Sequence, residues 1–261
     1  MSNLSLPDRL RAIIPPQVKA ATVALTTSPP MGRLIQWVFC AGIPHHGSRL
    51  LLPSPRSDKL AAQLAYGFYE RAEIAAIQRF LPRHLPVVEL GSSIGAITCL
   101  LARLVEWEQP ILTVEADPAL AAQTIKNLRH NNLQDRVHVV NRAVAYGQTE
   151  VSFGGIDTLS GHIGGGDAVV SATTLSALLG EFGLREYVLV CDIEGAEVPM
   201  ILEDGRALAC CKFIIMELDG GSYKGTTYKP DDVEQLVERS GFQRVYRYGR
   251  VAAFSRLDSP E

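Results

Sequence analysis

The chain has 261 residues, of which 47% are hydrophobic and 20% charged, and its formal net charge is -3 at pH 7. These values are ordinary for one globular domain with an extension. Because the charge balance is weakly acidic and no cluster of Lys and Arg stands out, we expect no nucleic-acid partner.

The first 57 residues are rich in proline and predict an accessory segment, followed by one domain over residues 58–261. Short helices are predicted at Leu6–Ile14, Gln17–Leu25 and Met31–Ala41. The apolar run Leu34–Phe39 is expected to pack on the core or against a second copy of the chain, so a homo-oligomer is a possible assembly.

Targeting signals are not evident in the sequence. Met1–Leu10 lacks a basic region followed by an apolar core, and Leu34–Ile43 is too short to span a bilayer. The five cysteines show no zinc-type spacing and are expected to be buried free thiols. We therefore expect a cytoplasmic protein with no membrane span.

From residue 58 onward, helical and strand patterns alternate, which predicts an α/β fold with a mostly parallel sheet and helices on both faces. The predicted strands are Pro86–Leu90, Ile111–Glu115, Arg136–Val140, one or two within Ala143–Phe153, Tyr187–Cys191, Lys212–Leu218, Phe242–Tyr248 and Arg250–Ser255. The predicted helices are Ser57–Ala65, Glu70–Phe80, Ala96–Glu106, Asp117–Asn131, Thr173–Gly180, Glu197–Ala209 and Asp231–Ser240.

A strand, a tight turn and a helix start occur in succession at Val87–Gly95. We expect Gly91, Ser93 and Gly95 to contact a cofactor, because glycine admits close approach and a helix N-terminus offers free N–H groups. Glu89 would repel a pyrophosphate. It suits instead a cationic group, such as the methionyl ammonium of S-adenosylmethionine.

The next two strands end in polar residues at the same predicted edge of the sheet. Glu115 is expected to accept hydrogen bonds from the ribose hydroxyls of an adenosine moiety. Asp117, followed by Pro118, is expected to be a helix cap. Asn141 and Ala143 are placed beside the adenine.

A glycine-rich loop is predicted at Gly154–Asp167, and it contains His162. A histidine there could act as a general base and contact the substrate, although a solvated loop residue is the plainer interpretation. His45 and His46 are interpreted as a surface turn rather than a metal site.

Three acids follow the apolar run Tyr187–Val190, at the sheet edge where open α/β sheets bind ligands. Asp192 is the first candidate for a base or acceptor-orienting group, and it also borders the cofactor. Glu194 is the second, and Glu197 is expected to cap or begin the next helix. The spacing does not demand a metal, and we expect none. Asp219–Lys224 is a further candidate substrate loop at this edge.

These motifs, taken in order, resemble those of the FkbM-type S-adenosylmethionine-dependent methyltransferases. The resemblance rests on seven segments within about residues 66–220: Phe68–Glu70, Glu89–Gly95, Val114–Asp117, Asn131–Val137, Asn141–Ala145, Asp192–Glu197 and Ile214–Leu218.

The resemblance implies a Rossmann-like class I methyltransferase fold with a seven-stranded sheet. It implies S-adenosyl-L-methionine as cofactor and methyl transfer to a hydroxyl of a sugar, glycan or secondary metabolite. It also places Tyr69 and Glu70 near the substrate. The family usually carries Asp at Glu89, Gly-Ala-Asn at 91–93 and Lys at Val190, so no role of that lysine is transferred.

Two alternatives remain open. Asn131–Arg136 and the first three strands also resemble RNA methyltransferases, although Asp192–Gly195 replaces the Asn-Pro-Pro-type element expected there. A non-catalytic member that binds S-adenosylmethionine is the other alternative.

Overall fold

The computed structural model describes residues 28–53, 57–157, 160–163 and 168–257, with backbone alone within 153–168. The predicted helices at Leu6–Ile14 and Gln17–Leu25 lie outside the described residues. Within the described part, no helix is both long and apolar enough to cross a membrane.

Seven strands form the central sheet, in the order β14-β15-β11-β10-β3-β4-β5. Six of them point in the same direction, and β15 is antiparallel to both of its neighbours. The strands are β3 (Val87–Leu90), β4 (Ile111–Glu115), β5 (Val137–Asn141), β10 (Tyr187–Cys191), β11 (Cys211–Glu217), β14 (Phe242–Tyr248) and β15 (Val251–Arg256). The mostly parallel sheet predicted from the sequence is confirmed.

Helices cover both faces of this sheet. They are α1 (Pro29–Val38), α2 (Asp58–Ala65), α3 (Arg71–Phe80), α4 (Ala96–Leu104), α5 (Pro118–His130), α6 (Leu175–Phe182), α7 (Glu197–Glu203), α8 (Gly205–Cys210) and α9 (Pro230–Arg239). Alternate residues of β10 enter opposite cores: Val188 and Val190 pack with α2–α5, whereas Leu189 packs with α6–α9. Burial on both faces explains the unbroken apolar run of this strand.

Small sheets flank the central one. The hairpin β1 (Ile43–His45) and β2 (Ser48–Leu50) lies against α2 and α5, with Asn131 Nδ2 donating to the Arg49 carbonyl. A four-stranded sheet has the order β6-β9-β7-β8, and β12 pairs with β13. Their bounds are Ala143–Val144, Glu150–Asp157, Ser160–Ile163 and Ala168–Thr173 for β6–β9, and Gly221–Tyr223 and Thr226–Tyr228 for β12 and β13.

Several sequence predictions are corrected. Gly154–Asp167 is not a continuous loop, because β7 and β8 pair there, with Gly154 opposite His162. The helix predicted over Glu197–Ala209 is two helices, interrupted at Asp204, whose carboxylate accepts from the hydroxyl of Ser176 and from Tyr146. The candidate loop Asp219–Lys224 contains strand β12.

The apolar face of α1 is only partly in the core. Ile35 is buried, whereas Leu34, Trp37 and Val38 are exposed, Trp37 by 78%. His45 is buried rather than on a surface turn, and its Nδ1 lies 3.1 Å from the Leu64 carbonyl oxygen. Cys40 and Cys210, expected to be buried, are exposed free thiols.

The chain order of the strands reverses between β3 and β10. From β3 the chain proceeds to β4 and β5 on one side and returns to β10 and β11 on the other. The carboxyl ends of β3 and β10 therefore border the crevice at which open α/β sheets bind ligands.

Candidate functional site

The glycine turn after β3 lies at this crevice and is packed closely on the end of β10. Gly91 has φ +88, and a Cβ there would lie 1.7 Å from the Asp192 carbonyl oxygen. Gly95, with φ +79, is the N-cap of α4. Asn127 Nδ2 donates to the Ile94 carbonyl at 2.8 Å, so α5 holds the turn from below. The turn is thus held in place by the end of β10 and by α5.

Glu115, at the end of β4, is tied to the same turn. Its Oε2 accepts from the Ser93 N–H at 2.7 Å and its Oε1 from the Asp117 N–H at 3.0 Å. Tyr69 donates from its hydroxyl to Ser93 Oγ at 3.1 Å. Burial, partly offset by these N–H donors, raises the pKa of Glu115 to about 7. The structure thus brings together three predicted site residues, Tyr69 just before α3, Ser93 in the turn and Glu115 at the end of β4.

Glu89 lies beneath the turn and is 1% exposed. Thr98 and Thr113 donate from their hydroxyls to its Oε2 at 2.7 and 2.5 Å, while Oε1 is buried without a hydrogen-bond partner among the described residues. A ligand ammonium has no direct access to this carboxyl group. The carboxyl group of Glu89 can act on such a ligand only through its charge, across the turn.

Burial raises the pKa of Glu89 from 4.5 to about 7. Because the folded state then holds a proton that the unfolded state releases, stability is lost as the pH rises from about 4.5 through about 7. At about 1.4 kcal/mol per pKa unit, the loss is about 3 kcal/mol. Glu89→Gln removes this titration, so urea unfolding should show the variant gaining on wild type by about that amount between pH 4.5 and pH 8.

The control for this prediction is Glu108→Gln, which removes an exposed carboxylate. Its unfolding free energy should run parallel to wild type across the same pH range. Parallel curves for Glu89→Gln as well would show that Glu89 stays ionised in the folded protein.

Asn141 and Ala143, predicted beside the adenine, occupy different environments. Asn141 Nδ2 donates to the carbonyl oxygens of Glu115 and Ala116 at 2.8 and 2.9 Å, and so holds the segment after β4. Ala143 is buried in β6 and packs with Val151 and Val170.

Asp192 directly follows β10 and faces the turn. Its backbone N–H donates to the Leu90 carbonyl at 2.9 Å. Burial, and then repulsion from Glu217, Glu70 and other nearby carboxylates, raises the pKa of Asp192 to about 9. A carboxyl group with such surroundings binds protons and cations strongly.

The two other acids of this segment have distinct environments. Glu197 is fully buried, and its carboxylate accepts from the N–H groups of Ile193 and Gly195, each at 2.8 Å. It begins α7 and orders the preceding turn. Glu194 is exposed and has φ +52, a strained conformation for a residue with a side chain.

Further acids reach this point from other elements. Glu217 ends β11 and pairs with Arg250 at 2.5 Å. Asp219 also pairs with Arg250, and its Oδ2 is buried without a hydrogen-bond partner in the described part of the chain. Glu73, in the first turn of α3, is buried, and burial together with repulsion from Glu70 raises its pKa.

Sequence reasoning did not single out Glu73 or Arg250. For Glu217 a usable signal existed, because it is an acid one residue before the end of the predicted strand Lys212–Leu218, near the edge that Glu115 reaches. Arg250 lies in the β14–β15 turn, and no local pattern links it to β11.

A cavity of about 370 Å³ opens beside this cluster. Its lining includes Phe68, Glu70, Glu73, Glu217, Tyr248 and Arg250. Burial, and then repulsion from Glu217, raises the pKa of Glu70 to about 7. Glu70 thus lies on the cavity side, whereas Tyr69 lies on the turn side. His162 is in strand β8, and its side chain lies outside the described residues.

A model of the methyltransferase FkbM domain matches residues 89–244, a range that includes Glu89, Glu115 and Asp192. The chain is similar to a putative O-methyltransferase from Klebsiella pneumoniae, with 15% identity, 97% of this chain and 96% of that chain covered, and a TM-score of 0.46.

It is also similar to the METTL16 methyltransferase domain, with 17% identity, 88% of this chain and 81% of that chain covered, and a TM-score of 0.48. A third similar structure is a putative tRNA methyltransferase from Streptococcus pneumoniae in complex with S-adenosyl-L-methionine, with 13% identity, 73% and 74% covered, and a TM-score of 0.45. No curated protein matches the sequence.

Proposed function

The chain belongs to the FkbM methyltransferase family, and we propose that it methylates a hydroxyl oxygen of a sugar, glycan or secondary metabolite with S-adenosyl-L-methionine. The observation that carries the proposal is the acidic edge of the sheet, where Asp192 adjoins both the glycine turn and Glu217. Such an edge suits a cationic cofactor and disfavours the phosphates of a dinucleotide.

The residues present fit this cofactor. The Gly91–Gly95 turn borders the crevice, and Glu115, which is hydrogen-bonded to this turn, offers a carboxylate for the ribose hydroxyls. Oε1 of Glu89 has no hydrogen-bond partner among the described residues, and a cation across the turn would compensate the charge of this buried acid. When bound, the cofactor supplies an electrophilic methyl carbon on a positively charged sulfur.

Acceptor binding is assigned to the cavity beside Asp192. Its volume of about 370 Å³ lies in the range of small-molecule sites. The carboxylates of Glu70 and Glu217 can accept hydrogen bonds from several hydroxyls, while Phe68 and Tyr248 offer apolar ring faces. These groups favour a neutral or cationic polyhydroxylated acceptor over an anionic one.

Asp192 is proposed to orient the acceptor hydroxyl and take its proton, with Glu194 next to it in a lesser role. A carboxylate raised to a pKa of about 9 is a strong base once ionised, and a nearby positive charge favours that ionised form. Displacement at the methyl carbon requires the acceptor oxygen to be held in line, and the cavity wall supplies that constraint.

The test has two stages. Calorimetry should show saturable binding of S-adenosyl-L-methionine, and the absence of heat at millimolar cofactor would overturn the cofactor assignment. Mass spectrometry of reactions with mono- and oligosaccharides, hydroxylated metabolites and transfer RNA should then show a methyl ether on a hydroxyl. Methylation of an RNA base amine would overturn the acceptor assignment.

A further inference from the structure

Asp192 lies where two groups of carboxylates meet. One oxygen each of Asp192, Glu197 and Asp219 lies within 4.8 Å of the others, and the same holds for Asp192, Glu70 and Glu217. The first group is largely buried, whereas Glu70 and Glu217 of the second line the open cavity. Asp192 therefore belongs both to the enclosed group of carboxylates and to the group beside the proposed acceptor cavity.

Asp219 gives independent evidence that the enclosed group is made for a ligand. Its side chain is 8% exposed, and its Oδ1 is paired with Arg250. Its Oδ2 is buried and finds no hydrogen-bond partner among the described residues. A buried carboxylate oxygen without a partner costs about 1–3 kcal/mol or more, so its retention calls for an explanation.

Among the described residues, the carboxyl groups near this oxygen outnumber the cationic groups. Arg250 contributes one positive charge, through its contacts with Glu217 and Asp219. The carboxyl groups drawn together here belong to Glu70, Asp192, Glu197, Glu217 and Asp219. Hard divalent cations bind such oxygen clusters, with water completing the coordination.

We propose that Asp192, Glu197 and Asp219 bind a divalent cation, with Mg²⁺ as the expected ion. The two oxygens of Glu197 already accept N–H groups, but each retains a second lone pair. Asp192 also lies beside Glu70 and Glu217, which line the cavity where the acceptor hydroxyl would bind. The spacing of residues 192–197 alone predicts no metal, because Asp219 comes from the segment after a different strand, β11.

The role of the cation rests on the proposed function, but its binding does not, so binding is measured without cofactor or acceptor. Chain freed of metal with EDTA is titrated with Mn²⁺ and followed by electron paramagnetic resonance. We expect one saturable site per chain, from which excess Mg²⁺ displaces Mn²⁺. Asp219→Asn and Asp192→Asn should each weaken Mn²⁺ binding at least about ten-fold.

The control is Asp135→Asn, an exposed carboxylate on the short 3-10 helix, which should bind Mn²⁺ as wild type does. Circular dichroism establishes that each variant is folded, and either cluster variant suffices for the test. Wild-type chain without a saturable site at millimolar Mn²⁺, or equal affinity in folded wild type and cluster variants, would overturn the proposal. Binding of S-adenosyl-L-methionine is also measured in EDTA, to distinguish failure of the cation site from failure of the proposed function. If the chain binds the cofactor but no metal, only the cation site is refuted.

Discussion

Replacing Asp192 by Asn is expected to lower kcat by about 10²- to 10⁴-fold, the range typical for loss of a general base. The substitution keeps the shape of the side chain and the backbone bond to Leu90, so the glycine turn stays in place. Cofactor affinity should therefore fall far less than kcat, because the substitution removes one charge from the acidic edge and leaves the turn intact. The amide can neither take the acceptor proton nor supply negative charge to the cluster.

The same change should make the protein more stable, which distinguishes it from a structural lesion. Burial and the neighbouring acids raise the pKa of Asp192 from 3.8 to about 9. The folded state therefore binds a proton that the unfolded state releases, and the protein loses stability as the pH rises from about 3.8 through about 9. In EDTA, urea unfolding at pH 8 to 9 should show Asp192→Asn at or above wild type. Asp135→Asn is the activity control, and full turnover in Asp192→Asn would refute the assignment.

The strands that carry the site were predictable because their sequence signals are local. Tyr187–Cys191 and Ile111–Glu115 have the predicted bounds, since apolar runs buried on both faces stop where the first polar residue follows. Asp117 accepts from the N–H groups of Ala119 and Leu120, the cap that its position before Pro118 indicates. Parallel strands in turn place their carboxyl ends at one edge.

Pairing between distant segments was not predictable in this way. Strand β9 was missed and Gly154 was assigned to a loop, because glycine disfavours strands and the pairing with β8 is set by register, not by local pattern. The partners of Asp192 show the same limit. Asp219 and Arg250 come to it from β11 and the β14–β15 turn through tertiary packing.

Orientation of the side chains was the other gap. Glu89 ends a strand as predicted, yet its carboxyl group points beneath the turn to Thr98 and Thr113 rather than into the crevice. Strand position fixes which edge a residue reaches, but the neighbouring helix determines whether a ligand can touch it. Glu89 can therefore act on a ligand in the crevice through its charge, but not by direct contact.

Among the glycines whose surroundings the structure describes, Gly91 is expected to be the most sensitive to replacement by Ala. The backbone there has φ +88, which costs a residue with a side chain about 1–2 kcal/mol. The new Cβ would also lie 1.7 Å from the Asp192 carbonyl oxygen, a backbone atom of the neighbouring strand end. Separating the two segments should cost about 3 kcal/mol more, as overpacking does in well-packed cores.

Gly147→Ala is the matched control, because it separates conformational strain from the clash. Its φ is +76, and a Cβ there would meet no atom within 4 Å in the described part of the chain. Urea unfolding should therefore show a loss of about 1–2 kcal/mol for Gly147→Ala and at least about 2 kcal/mol more for Gly91→Ala. Because the clash falls on Asp192 itself, any folded Gly91→Ala should also lose cofactor affinity, whereas Gly147→Ala should keep it. Equal losses of stability in the two variants would mean that the turn and Asp192 are not in contact, and the crevice described here would be wrong at its centre.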